Sequence, residues 1–298
     1  MRALEQLQRT KLMKLHFLLA AIIPVVALMP LSAYAVTYIN ETFEDDTIGL
    51  APADAAQKNV AQVTVAAGTG VIGTDQVAHL NDISAAVNGD LEYNVGTSNT
   101  VGNLYIQFDL LNNAPGDTGS AANPVIFGVV PWSAASGIKN GANANRSFGV
   151  EFYQTGASST LKLRTNATAF VNTTYVKLDL QTVRIWVNDN DSATLAYTRP
   201  DNSATATLGA NSFVIWINDA MVATETDSGF GMNPLLTVGD TTIGRLGFTT
   251  TTTVLADFSI DNLTVTDVAA IPEPTSAALV VCGVGLLGWL SRRRAVRR

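Results

Sequence analysis

The chain has 298 residues, of which 47% are hydrophobic and 14% charged, and its formal net charge is −7. The charges are unevenly placed: residues 36–271 hold 23 Asp and Glu against 9 Lys and Arg, so this segment carries 9 − 23 = −14. Nucleic-acid phosphates repel such an acidic body, which argues against nucleic acid as a partner. The single cysteine, Cys282, excludes an intrachain disulfide and a thiolate zinc site.

Residues 1–35 have the layout of a secretory signal peptide. Basic residues up to Lys14 precede an apolar run, Leu15–Leu31, which is followed by the small-residue triplet Ala33-Tyr34-Ala35. This order predicts cleavage by a signal peptidase, so that the mature chain begins at Val36. An uncleaved membrane anchor is the alternative, and two prolines within the apolar run argue against it.

Residues 36–268 are predicted to form one antiparallel β-sandwich. Their apolar runs are short, rich in Val, Ile, Thr and Phe, and separated by Gly, Asn, Asp or Pro, whereas no stretch keeps a helical period. Strands spaced about 8–12 residues apart are typical of sandwiches and barrels. The clearest predicted strands are Val60–Val65, Leu104–Leu111, Val125–Val130, Phe148–Tyr153, Tyr175–Leu180 and Thr241–Phe248.

Two similar segments, Val183–Asp189 and Phe213–Asp219, each have the pattern of a strand that ends in an Asn-Asp turn. Strand alternation places their aliphatic residues on the predicted core face and Trp186 and Trp216 on the other face, together with Arg184. Because Arg184 indicates that this second face is partly wet, the three residues are candidates for carbohydrate binding, with the indoles as platforms for sugar rings. The alternative is that both indoles fill a second buried layer of the sandwich.

These segments, the opening motif Asn40–Asp46 and the closing motif Phe258–Val265 resemble the concanavalin A-like, or laminin-G-like, jelly roll. The resemblance covers most of the predicted mature chain through short motifs. It implies an all-β fold in which the first and last strands lie side by side, which would bring Phe43 and Phe258 close together.

Patterns that indicate catalysis are sparse, and no catalytic residue is assigned. His79 is the only histidine of the predicted mature chain, and it lies in a strand pattern where a structural role is expected. Glycoside hydrolases of the resembled fold carry the pattern Glu-x-Asp-x-x-Glu on one strand, which is absent here, and no glutamate of the body is expected to have a carboxylate partner at that spacing. We therefore predict a protein that is not an enzyme, with a polysaccharide hydrolase or lyase of the same fold as the alternative.

Calcium is the one cofactor for which the residues argue. Hard cations bind clustered carboxylates, and Glu44, Asp45 and Asp46 follow the first predicted strand while Asp257 and Asp261 lie in the last. If the two strands pair, as the resemblance implies, these oxygens would converge on a structural calcium ion. A solvated acidic loop is the alternative.

The C-terminal segment, residues 269–298, contains the motif Pro272-Glu273-Pro274, an apolar run over Thr275–Leu290 and the basic cluster Arg292-Arg293-Arg294. A helix over the 16 residues of the apolar run would span about 24 Å, which is marginal for a hydrocarbon core of about 30 Å. The arginines are expected to keep the C-terminus in the cytoplasm and the acidic body outside. A permanent anchor with a stiff linker is one interpretation of this segment.

In this order at the end of the chain, the three parts resemble the PEP-CTERM sorting signal of Gram-negative bacteria. The resemblance implies transient anchoring in the inner membrane, cleavage near the Pro-Glu-Pro motif by an exosortase-type membrane enzyme, and delivery to the cell surface or extracellular matrix. Together with the predicted sandwich, it predicts an exported, non-catalytic protein that binds or spaces exopolysaccharide.

Overall fold

The computed structural model describes residues 35–268 apart from 60–61, 74, 84–85, 96–101, 114–124, 132–137, 139–145, 154–157, 165–169, 177–178, 223–228, 234–242 and 251–255. The predicted signal peptide, transmembrane helix and sorting residues, including Pro272, Glu273, Pro274, Arg292, Arg293 and Arg294, lie outside the described residues. Within the described residues every regular element is a β-strand, so no helix there is long and apolar enough to cross a membrane. These strands belong to one compact unit, Ala35–Ala269.

Antiparallel pairing organises the described strands into two large sheets and one separate hairpin. Sheet A consists of β1 Thr37–Glu41, β3 Val63–Ala67, β4 Gln76–Asp82, β6 Leu104–Asn112, β11 Gln181–Asn188, β14 Ser212–Ile217, β15 Ala220–Met221, β16 Phe230–Gly231 and β18 Ala256–Asp267. Sheet B consists of β2 Gln57–Lys58, β5 Asp90–Asn94, β7 Val125–Val130, β8 Phe148–Tyr153, β9 Ser158–Arg164, β10 Phe170–Val176 and β17 Arg245–Thr250. The hairpin consists of β12 Leu195–Thr198 and β13 Thr205–Leu208.

Strands that are distant in the sequence are neighbours in both sheets. Sheet A follows the order β15-β14-β11-β6-β18-β4-β3, with β1 beside β18 and β16 beside β14, and sheet B follows the order β10-β9-β8-β7-β17-β5-β2. The first and last strands are adjacent, as predicted: Ile39 lies opposite Val265, and Glu41 lies opposite Leu263. This pairing holds the acidic turn after β1 beside the last strand.

The core lies between the inner faces of the two sheets. The ring centroid of Phe108 in sheet A lies 5.0 Å from that of Phe127 in sheet B, and Phe213 stacks on Phe148 at 4.1 Å. All four rings are buried. Burial of one such side chain stabilises the fold by about 1.5–3 kcal/mol, so the alternation of inward apolar residues accounts for the sandwich.

The predicted strands Val125–Val130 and Phe148–Tyr153 coincide with β7 and β8. The predicted strand Tyr175–Leu180 begins within β10, which ends at Val176, but residues 179–180 belong to no strand and β11 begins at Gln181. The alternating pattern of the sequence continues to Leu180, and periodicity alone does not mark where a strand ends.

Candidate functional site

The β12–β13 hairpin covers part of the face of sheet A that points away from the core. Trp186 and Trp216 lie on this face, as alternation predicts, and they are 8% and 1% exposed. The indoles therefore fill a second buried layer, which is the alternative that the sequence left open, and neither is an exposed platform for a sugar ring. The layer also contains Leu195, Tyr197, Ala206, Leu208 and Val214.

Polar and aromatic contacts fix the hairpin over the indoles. At its base, Nδ2 of Asn188 donates hydrogen bonds to the carbonyl oxygens of Ala193 at 2.9 Å and Gly209 at 2.7 Å. Farther along, the guanidinium of Arg199 lies 5.3 Å from the centroid of the Trp216 ring, a cation-π contact. Alternation within β11 and β14 cannot show that a separate hairpin folds back over them, which is why the sequence could not decide between the two interpretations.

Arg184, the third residue predicted to bind carbohydrate, lies at the half-buried edge of the aromatic layer. Its Nε donates to Oε1 of Gln107 at 3.2 Å, and its Nη1 forms an ion pair with Asp219. The same Gln107 oxygen accepts a hydrogen bond from the hydroxyl of Tyr105 at 2.6 Å. Arg184 is thus engaged by neighbouring side chains, and the structure does not bring it onto an open aromatic surface with the two indoles.

Two of the five predicted calcium ligands, Asp45 and Asp46, meet Glu41 in what we call the Glu41 cluster. One carboxylate oxygen of each residue lies within 4.8 Å of the others. Glu41 is 7% exposed, and its Oε1 accepts a hydrogen bond from the amide of Phe43 at 2.8 Å. Burial raises the pKa of Glu41, and the Asp46 and Asp45 carboxylates raise it further against the effect of that hydrogen bond. A hard cation would neutralise this repulsion, so the three side chains could hold one.

The backbone after β1 explains how the Glu41 cluster forms. Phe43 has a φ of 61°, a region that residues other than glycine rarely adopt, and its side chain is fully buried. Burial of the ring offsets the cost of this conformation, and the turn brings residues 45–46 back to the end of the strand. The sequence prediction omits Glu41, although strand alternation places it on the same buried face as Ile39.

Glu44 and Asp261, two further predicted ligands, border an open cleft of about 420 Å³ with Asp109 and Asn262. Asp261 is 4% exposed, and its Oδ1 accepts a hydrogen bond from the amide of Asn262 at 2.7 Å. A β-bulge follows Asp261, and Asn262 adopts a φ of 52°, so the chain turns at this point of β18. Burial, together with the Asp109 and Glu44 carboxylates, raises the pKa of Asp261 to about 6.

Asp257, the fifth predicted ligand, stands apart from both acidic groups. It lies four residues before Asp261 on a regular part of β18, so the two Cα atoms are about 13 Å apart. Nε2 of His79 donates to its Oδ1 at 2.8 Å, and Nδ2 of Asn113 donates to the same oxygen at 3.1 Å. Asp257 cannot share an ion with Asp261 at this separation, and its contacts instead join neighbouring segments of sheet A.

The outer face of sheet B carries a carboxylate pair that sequence reasoning missed. Asp90 and Glu92 occupy alternate positions of β5, opposite the core-facing side, and are 2% and 0% exposed. Oε1 of Glu92 accepts a hydrogen bond from the amide of Ile138 at 2.7 Å. Gly128 makes room for Ile138, because a Cβ at Gly128 would lie 2.9 Å from its Cγ2. Both carboxylates are buried, Glu92 beside Ile138, so the pair is inaccessible to a polymeric substrate.

Comparisons with protein-family models and with curated proteins find no match. Among solved structures, the chain is similar to a carbohydrate esterase from Shiga toxin-encoding bacteriophage phi24B, with 14% identity over 79% of this chain and 100% of that chain and a TM-score of 0.48. It is also similar to an endo-1,3-β-glucanase from Streptomyces sioyaensis, with 10% identity over 80% of this chain and 98% of that chain and a TM-score of 0.46. An alginate lyase from Chlorella virus matches with 9% identity over 70% of this chain and 94% of that chain, at a TM-score of 0.39. Identities and TM-scores this low carry no argument about activity, so the fold assignment rests on the strand pairing and packing described above.

Proposed function

We propose that this chain is an exported protein that an exosortase-type enzyme sorts to the cell surface or extracellular matrix, where its β-sandwich binds or spaces exopolysaccharide without catalysis. The order of Pro-Glu-Pro motif, apolar run and arginine cluster supports the sorting half of the proposal. The all-β body has no cysteine before Cys282, so its hydrophobic core rather than disulfide bonds would stabilise it outside the cell.

One observation favours binding over catalysis: the only histidine of the predicted mature chain and the carboxylate pair of β5 are held within the sheets. His79 is hydrogen-bonded to Asp257, and the Asp90 and Glu92 pair is buried. A general acid or base must come within hydrogen-bonding reach of its substrate, and these described groups are not presented to one.

A calcium ion held by the Glu41 cluster is part of the proposal. The proximity of its three carboxylates supports the site. The Glu41 cluster replaces the five calcium ligands that the sequence predicted, which extended to Asp257. An ion there would tie the turn at residues 45–46 to the end of β1, and so it would stabilise the native sandwich.

A polysaccharide hydrolase or lyase is the second candidate function. The Asp90 and Glu92 pair favours it, because alternate positions of one strand present two carboxylates to the same face. Catalysis would require Ile138 to leave Glu92 and both carboxylates to become exposed. Cleavage of a glucan that is lost on Glu92→Gln would establish this second candidate and refute the non-catalytic proposal.

The sorting half is tested by replacing Pro272, Glu273 and Pro274 with alanine in a host that carries an exosortase. The variant should accumulate as an unprocessed, membrane-retained form, which the intact mass of the recovered protein would reveal. Ser276→Ala, just beyond the motif, is the matched control and should be processed like the wild type. Normal processing of the triple variant would refute exosortase sorting.

A further inference from the structure

A polar cavity of about 270 Å³ lies beside the end of β1, between this strand of sheet A and β5 of sheet B. We call it the Tyr93 cavity. Its exposed lining includes Asn40, Asp54 and Asn94, whereas Glu41 and Tyr93 are buried, at 7% and 4% exposed. The cavity is therefore a cleft whose exposed polar rim surrounds two buried polar side chains.

Tyr93 provides the observation that points to a ligand. Its hydroxyl has no hydrogen-bond partner among the described residues, although the side chain is nine-tenths buried and lines the cavity. A buried hydroxyl without a partner retains a desolvation cost that phenylalanine would not have at the same position. Burial, and then the charge of Glu41, raises the pKa of Tyr93 above its usual value, so the hydroxyl stays protonated and can donate.

We infer that the Tyr93 cavity binds a neutral sugar residue of a polysaccharide, an inference that rests on the proposed function and names its binding site. Adjacent hydroxyls of a pyranose both donate and accept hydrogen bonds. The cavity offers a matching set, because Tyr93 donates, the amide of Asn94 does both, and the carboxylate of Asp54 accepts. The half-buried ring of Tyr38 adds an aromatic surface for the apolar face of the sugar.

Charge selects the class of sugar. Glu41 and Asp54 line the cavity, and the Asp45 and Asp46 carboxylates lie against Glu41. A uronate would bring another carboxylate into this field, and like charges at short range repel. A calcium ion in the Glu41 cluster would offset two of these four negative charges, so a neutral sugar stays favoured over a uronate with the ion bound.

Tyr93→Phe tests the inference because it removes one oxygen atom and keeps the ring. The full chain, purified in detergent, is run in affinity electrophoresis through gels that contain a neutral β-glucan or alginate. We expect retention by the glucan to weaken about tenfold in Tyr93→Phe while the melting temperature stays equal or rises. Tyr105→Phe is the matched control: it removes a hydroxyl that donates to Gln107 outside the cavity, so retention should stay unchanged and the melting temperature should fall.

Asn94→Ala is the second variant, and because Asn94 is exposed it should weaken retention without unfolding the chain. If the glucan retains the wild type and neither Tyr93→Phe nor Asn94→Ala weakens that retention, the cavity is not the binding site, whereas the proposed function stands. Stronger retention by alginate than by the glucan would overturn the assignment to neutral sugars. A wild-type chain retained by neither polymer would contradict both the inference and the proposed function.

Discussion

Replacing Trp216 by alanine should destabilise the sandwich severely, because the structure makes this indole part of a buried layer. Trp216 is 1% exposed, packs among Leu208 and Val214, and lies under the guanidinium of Arg199. Truncation of a buried tryptophan to alanine costs about 3–5 kcal/mol, which is a large share of the roughly 5–15 kcal/mol that stabilises a typical domain. Trp216→Phe should cost less, because it keeps an aromatic ring and removes an indole N–H that has no partner among the described residues.

The measurement is urea denaturation followed by circular dichroism, with polysaccharide retention recorded for the same variants. Arg184→Ala is the control on the same strand face: its side chain is partly exposed, so its effect on the free energy of unfolding should stay under about 1 kcal/mol. If Trp216→Ala cost less than about 0.5 kcal/mol and abolished retention, the indole would be an exposed platform and the account of the aromatic layer would be refuted.

Three further predictions concern the ion, the pH and the backbone. Chelator should lower the melting temperature of the wild type by about 5–10 °C relative to calcium at a hundredfold excess over Kd. A variant with Asn in place of Asp45 and Asp46 should not respond to calcium. An equal melting temperature of the wild type in both buffers would reject the Glu41 cluster as an ion site. The folded-state pKa of Asp261, near 6, exceeds its usual 3.8, so the native state favours the protonated carboxyl. The contribution of this group to the free energy of unfolding is therefore complete below about pH 4 and is lost as pH rises through 6. In chelator, Asp261→Asn should therefore raise the stability at pH 8 by about 1–2 kcal/mol, after allowance for screening in the open cleft, and parallel pH profiles of the two proteins would contradict this assignment. Gly247→Ala should lower the free energy of unfolding by at least about 1–3 kcal/mol, because a Cβ there would lie 2.1 Å from the carbonyl oxygen of Leu91. Gly231→Ala is the control, because the space around Gly231 is open, and its effect should stay within about 0.5 kcal/mol. Equal thermal stability of the two variants would refute the close approach of the strands at Gly247.

Strand alternation was sufficient to predict much of the fold. Short apolar runs predicted an all-β sandwich, and the runs at Val125–Val130 and Phe148–Tyr153 gave strands with the correct bounds. The Asn218-Asp219 pair forms the predicted turn, with φ values of 49° and 65° that asparagine and aspartate tolerate better than most residues. These features depend on local sequence, which is why they could be predicted without a structure.

The candidate sites depend on long-range contacts, and the sequence predicted them less well. Pairing of the first and last strands was predicted. The grouping of Asp257 with Asp261 was an error of local geometry, because four residues of one strand already separate them by about 13 Å. The unpaired hydroxyl of Tyr93 could not be predicted either, because it depends on which groups β1 and β5 bring to the same cavity. Burial of Trp216 depends on a hairpin that pairs with neither large sheet.

Light scattering of a neutral β-glucan during chromatography with the full chain tests the central claim most directly. If the sandwich binds polysaccharide without catalysis, the protein should co-elute with the glucan, and the molar mass of the polymer should stay constant during prolonged incubation. A falling molar mass would show cleavage and contradict the non-catalytic account, and separate elution of protein and glucan would contradict binding to this polymer.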